Sequence, residues 1–146
     1  MKDYKIELSS ISVKQKEKEK IYPLMQISVS GTPGLGTIRE MMEEIDELSK
    51  TIKGEYIAVT DFRGLKIGKF LQSIIIFGME KTYKKILSVA NPAILSFAIF
   101  PKEQRDSELM KDSLETINND KGFKYRYVFI NDPDEVKSIV ERLENA

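Results

Sequence analysis

Apolar positions change their period several times along this chain, and each change marks an element. Residues 4–14, YKIELSSISVK, alternate through Tyr4, Ile6 and Leu8 and then Ile11 and Val13. That pattern predicts a strand, irregular at Ser9-Ser10. Residues 22–31, YPLMQISVSG, predict a second strand, with Pro23 near its start or on an edge, since proline cannot donate to a ladder. The run KQKEKEK at 14–20 joins them as a long charged hairpin tip. Charge there discourages edge-to-edge aggregation.

The next segment switches to helical spacing. In residues 37–54, Ile38, Met41, Met42, Ile45, Leu48 and Ile52 fall on one stripe. Thr37 and Glu40 have the spacing of a capping box, and Gly54 supplies a stop. Residues 55–62, EYIAVTDF, and 93–100, AILSFAIF, are short, nearly all-apolar strands of the kind covered on both faces. Between them, 65–91 predicts one long helix or two consecutive ones, with a bend at Gly78 and an end at Asn91-Pro92. A helix is expected within 102–122, with Leu109, Met110, Leu114 and Ile117 inward, and a strand over 124–130. The last helix is expected over 131–145, with Asp132 as cap, Pro133 at the first helical position and Glu135 completing a capping box.

The order is ββαβαβαβα. It predicts an α/β fold: a mixed, mostly parallel sheet of four or five strands flanked by helices, with the first strand as an antiparallel edge. No repeat or linker divides residues 1–146, so one domain is expected.

Composition narrows the chemistry more than the architecture. The chain has 23 Lys plus Arg and 23 Asp plus Glu, which argues against a dedicated nucleic-acid binder with its basic face. It has no cysteine and no histidine. Thiolate nucleophiles, zinc-thiolate sites and every His-containing triad are therefore excluded, and any catalysis must run on Asp, Glu, Lys, Tyr, Ser or Thr. No metal or cofactor site is expected. The N-terminal residues MKDYKIELSSISVKQ hold no long apolar run, so no signal peptide is expected. The longest apolar run, IIIFGM, is far short of the roughly 20 residues of a spanning helix, so no integral membrane association is expected. The expected location is the cytoplasm, most simply of a prokaryote.

SVSGTPGLGTIREMM, residues 28–42, looks at first like a phosphate-binding loop. Gly31 and Gly36 satisfy the outer spacing of a Walker A motif, and YIAVTD imitates a Walker B strand ending in Asp61. The next two positions should be Lys and Ser or Thr, and they are Thr37 and Ile38. Ile38 can neither neutralise a phosphate nor hold magnesium. A Pro33-Gly34 turn and a Thr37 cap explain the residues better. Gly34, Gly36 and Thr37 still mark a helix N-terminus, where a weak anion site is the functional reading.

Asp61 stands where ligands bind in open parallel sheets. A receiver-type phospho-acceptor would need an acidic pair after an earlier strand, and Ser28, Ser30 and Gly31 stand there instead. The lysine after the fourth strand, Lys102, follows Pro101 rather than preceding a proline. An acid-base pair of Asp61 with Glu55 or Asp46 is not demanded by any spacing. The plain reading is that Asp61 caps the turn DFRGLK and pairs with Arg63. KFLQSIIIFGM, residues 69–79, is apolar around most of a helix, which leaves a deeper core, a self-association face or an apolar pocket open. Lys14, Lys16, Lys18 and Lys20 would share one face of an extended tip, offset by Glu17 and Glu19. A solvated tip is the plain reading, and a phosphate or membrane-surface contact is the functional one.

Three patterns, in this order, resemble the SpoIIAA-like branch of the STAS superfamily of small bacterial proteins. They are ISVSG leading into TIREMMEEIDEL, then YIAVTDFRGLK, then YRYVFINDPDEVKSIVERL. The resemblance implies a four- or five-stranded mixed sheet flanked by helices, and a binding or regulatory module rather than an enzyme. Anti-sigma-factor antagonists of that superfamily carry an Asp-Ser-Ser-Gly-like phospho-site after the central strand. Here no Ser or Thr lies between Phe62 and Gln72, and Ser73 lies too deep in the expected helix, so the phospho-switch is not carried over. Other relatives are linked to lipids or small apolar ligands.

The expected function is thus non-enzymatic binding of a partner protein, itself included, or of a small apolar ligand. The expected surface is 61–69 with the start of the next helix: Asp61, Arg63 and Lys66 as polar contacts, Phe70 and Ile74 as apolar ones. The alternative is a His-free hydrolase or phosphoryl-handling enzyme using Asp61 and the Gly31–Thr37 loop.

Overall fold

The computed structural model describes residues 3–66, 93–100 and 126–145. In chain order these form β1 (Tyr4–Gln15), β2 (Lys18–Gly31), α1 (Leu35–Thr51), β3 (Ile57–Leu65), β4 (Leu95–Ile99), β5 (Arg126–Ile130) and α2 (Glu135–Glu144). The strands make one sheet ordered β1-β2-β3-β4-β5. β1 is antiparallel to β2, and the remaining neighbours pair in parallel. The fold is α/β with a mixed sheet, as alternating strands and helices predict.

Side chains alternate across a strand, and here the alternation sorts the core into two halves. Met25, Ile27 and Val29 of β2 join Ala58 and Phe62 of β3, Ala98 of β4, and Met41 and Ile45 of α1. Tyr22 and Leu24 of β2 join Ile57 and Val59, Phe97 and Ile99, and Val136 and Val140 of α2. α1 and α2 therefore cover opposite faces. β3 and β4 are buried on both, which is why their sequences are nearly unbroken apolar runs.

The hairpin corrects three expectations and bears out the edge placement of Pro23. Its tip is a two-residue turn, Lys16-Glu17, because the ladder continues through Lys14↔Glu19 and Gln15↔Lys18. Lys16 takes a left-handed φ of 59° to close it. The register is unbroken across Ser9-Ser10, so no irregularity occurs there. Lys14 stands opposite Glu19, on the face away from Lys18 and Lys20, so the lysines do not share one face. Pro23 lies well inside β2, opposite Ser10. It is tolerated because β3 joins β2 only at Leu24, so β2 has a single neighbour at that point.

Both helices begin elsewhere than expected. α1 starts two residues before Thr37, with Gly34 as an extended N-cap (φ −80°, ψ 172°) and no side-chain cap. The Gly34 carbonyl accepts the Ile38 N–H at 3.0 Å. Thr37 and Glu40 therefore lie inside the helix and make no capping box. The helix ends at Thr51, before Gly54, whose φ is +84°. α2 starts as a regular helix only at Glu135, yet the expected box forms ahead of it. Glu135 Oε2 accepts the N–H groups of Asn131 (2.6 Å) and Asp132 (2.9 Å). Asp132 Oδ1 accepts the Asp134 N–H at 2.9 Å. The Glu135 N–H bonds the Asp132 carbonyl three residues back, a tighter turn that opens into the α-helix.

The helix expected over 65–91 yields Leu65 to β3, where it pairs with Gly31. The rest of that segment from 67, with Gly78, and the helix expected within 102–122 lie outside the described residues.

Candidate functional site

β3 does not stop at Phe62 but runs on to Leu65. Its register with β2 is regular to Ser28↔Asp61 and resumes at Ser30↔Gly64. Phe62 and Arg63 thus stand against the single residue Val29, a β-bulge, which bends the strand and re-aims its side chains. Phe62 stays buried and stacks on Phe100, with ring centroids 4.8 Å apart. Arg63 is turned outward. A Cβ on Gly64 would lie 2.9 Å from the Ser30 Cβ and 3.3 Å from the Val29 carbonyl oxygen, so only glycine lets β2 and β3 close again past the bulge. The Lys66 N–H then donates to the Gly31 carbonyl at 2.9 Å.

The bulge brings Asp61 and Arg63 together. Arg63 Nε donates to both carboxylate oxygens, at 3.0 and 3.2 Å, and Nη2 donates to Oδ2 at 2.8 Å. The Arg63 backbone N–H adds a bond to Oδ1 at 2.9 Å. The expected pairing of Asp61 with Arg63 is found, but the expected turn is not: Asp61 to Leu65 continue β3 through the bulge. Partial burial pushes the Asp61 carboxyl upward, but the side-chain and backbone bonds from Arg63 and its charge outweigh that and hold it below the usual carboxylate range. Arg63 is raised in turn, first by its bonds to Asp61, against desolvation, with the charges of Asp61 and Asp132 adding. This is a charge-assisted fork on a planar partner, not a carboxylate free to take a proton.

Lys66 is exposed at the end of β3. Phe70 and Ile74 lie outside the described residues. Gly31 (φ +69°) starts the loop toward α1, and Gly34 and Gly36 have open space where a side chain would be. The pairings Gly31↔Leu65 and Lys66 to Gly31 place that loop and the Asp61–Lys66 segment at one edge, outside the carboxyl ends of the parallel strands. The first turn of α1 carries no acidic residue.

Sequence reasoning missed two members of this edge. Gly64 holds the strand closure, and an isolated glycine after a strand-like run was its signal. Asp132, at the start of α2, bears electrostatically on Arg63, and no local pattern could show that. A concavity of about 550 Å³ beside α1 has Glu40, Glu43, Glu44, Glu47 and Leu48 in its lining. No cluster of three or more acidic groups poised for a metal ion occurs among the described residues.

No protein-family model matches the chain, and neither a curated protein nor a solved structure matches it.

Proposed function

We propose that this protein is a STAS-like binding or regulatory module whose recognition surface is the bulged end of β3. The observation that carries the reading is the fork between Arg63 and Asp61. Both carboxylate oxygens are taken up by a neighbour two residues away, which removes the best candidate for a general base or phospho-acceptor. The same fork fixes an exposed guanidinium three residues before the exposed Lys66, and the two suit an acidic patch on a partner protein. The STAS-like layout, with a hairpin leading into parallel strands and a helix after β2 and after β5, belongs to the proposal. A small apolar ligand held by Phe70 and Ile74 is its second form. A cytoplasmic location belongs to it too; the observation beside it is that no helix among the described residues is long and apolar enough to cross a membrane.

The test is affinity capture from the protein's own cells with wild type, Arg63→Glu and Lys66→Glu. Lys66→Glu leaves the fork in place and serves as the fold-neutral variant. A partner that both variants lose at least tenfold supports the surface. Equal capture by all three overturns it. A thermal-shift screen with nucleotides and magnesium addresses the phosphoryl-handling alternative. A ligand at a hundredfold excess over its dissociation constant adds about 2.7 kcal/mol, and a shift of that size would displace the binding reading.

A further inference from the structure

β1 is a twelve-residue strand at the edge of the sheet, and among the described residues the backbone on its outer side is contacted at one end. At that end the Lys14 N–H donates to Glu141 Oε1 at 3.2 Å, and Asn145 Nδ2 donates to the Lys14 carbonyl at 2.9 Å. The backbone groups of Lys14 therefore point away from β2. In an unbroken antiparallel register every second residue does the same, so Ser12, Ser10, Leu8 and Ile6 also direct their N–H and C=O groups outward. Around this open stretch Lys5, Glu7, Ser9 and Ser10 are exposed, and Leu8 is 46% exposed although it is apolar. A bare edge of this kind is a template for another strand.

We propose that this edge pairs with the same edge of a second copy of the chain, antiparallel about a twofold axis through Ile6. Charge selects both the occupant and the register. Lys5 and Glu7 sit side by side on one face, with Nζ and Oε1 2.6 Å apart. With the axis at Ile6, each Lys5 faces Glu7 of the second copy, and the four groups form one alternating cluster. Moving the axis to Lys5 sets lysine against lysine, and moving it to Glu7 sets glutamate against glutamate. An axis between residues would oppose outward-directed and inward-directed backbone groups. On the other face, the same register brings Leu8 against Tyr4 of the second copy and Ile6 against Ile6, covering the exposed leucine. The interface is isologous, as a twofold dimer requires. It rests on β1 alone and is independent of the Asp61 surface.

Sedimentation of the full chain over a range of concentrations tests this. Wild type should shift toward twice the monomer mass as concentration rises. Lys5→Glu and Glu7→Lys each turn two attractive cross-strand pairs repulsive, and each should raise the dissociation constant about tenfold or more. An equimolar mixture of the two variants should regain wild-type association, because the mixed pair again sets a carboxylate against an ammonium at both cross-strand positions. The uncharged double variant Lys5→Gln/Glu7→Gln should fall between, and circular dichroism checks that each variant is folded. A wild type that stays monomeric at every concentration overturns the proposal. So does a single variant that associates like wild type, or a mixture no stronger than its parts.

Discussion

At the scale of single residues, Asp61 shows how position decides chemistry. The same carboxylate could serve as a base, a phospho-acceptor or a cap, and the bulge two residues later hands it to Arg63. Its pKa is lower folded than unfolded, so the unfolded chain binds more protons in the acid range. The stability that the pair contributes is present above the ordinary carboxylate pKa and is lost as pH falls through the depressed value. Asp61→Asn should therefore cost about 1 kcal/mol at pH 7, since the amide oxygen can keep the bond from the Arg63 N–H but not the fork. The difference should close on acidification below the carboxylate range. Urea denaturation of both proteins at neutral and acid pH measures it, and a gap that persists in acid would refute the assignment.

At the scale of elements, the tip of the hairpin and the end of α2 are one unit. Asn145 follows the last turn of α2 and uses its whole amide. Its Nδ2 donates to the Lys14 and Glu141 carbonyls, and its Oδ1 accepts the Lys16 N–H at 2.5 Å. Tyr22 donates to Glu144 nearby, and Lys20 lies 4.6 Å from the Tyr22 ring centre. These contacts hold Lys16 in a left-handed conformation that a lysine adopts only at a cost of about 1–2 kcal/mol. Asn145→Ala should lower stability by about 1–2 kcal/mol and speed hydrogen exchange at the Lys16 amide. Exchange unchanged at Lys16 would show that the turn stands without α2.

At the scale of the whole molecule, two half-cores share the strands between them. Phe97 is fully buried on the α2 side of β4, while Ala98 beside it belongs to the α1 side. Cutting a large side chain from such a strand leaves a cavity that the surrounding structure fills only in part. Phe97→Ala should cost about 3–5 kcal/mol, much of the stability of a domain this size. Chemical denaturation reads it directly, and a loss under about 1 kcal/mol would mean that β4 is not central.

What the sequence determined by itself was periodic or local. The two-residue alternation of β1, the stripe of α1, the apolar runs of β3 and β4 and the box of Asp132 and Glu135 all act within a few residues, so they were legible before any fold was known. The pairing of Asp61 with Arg63 was legible for the same reason, being two positions apart. Tertiary structure decided what depended on a neighbour distant in sequence. β3 runs past Phe62 because β2 supplies partners as far as Gly31. The tip of the hairpin closes at Lys16 because Asn145 arrives from the other end of the chain. α1 starts at Leu35, two residues before the local capping signal, with the Gly34 carbonyl accepting the Ile38 N–H. Register and docking are sums over long-range contacts, and a single stretch of sequence does not carry them.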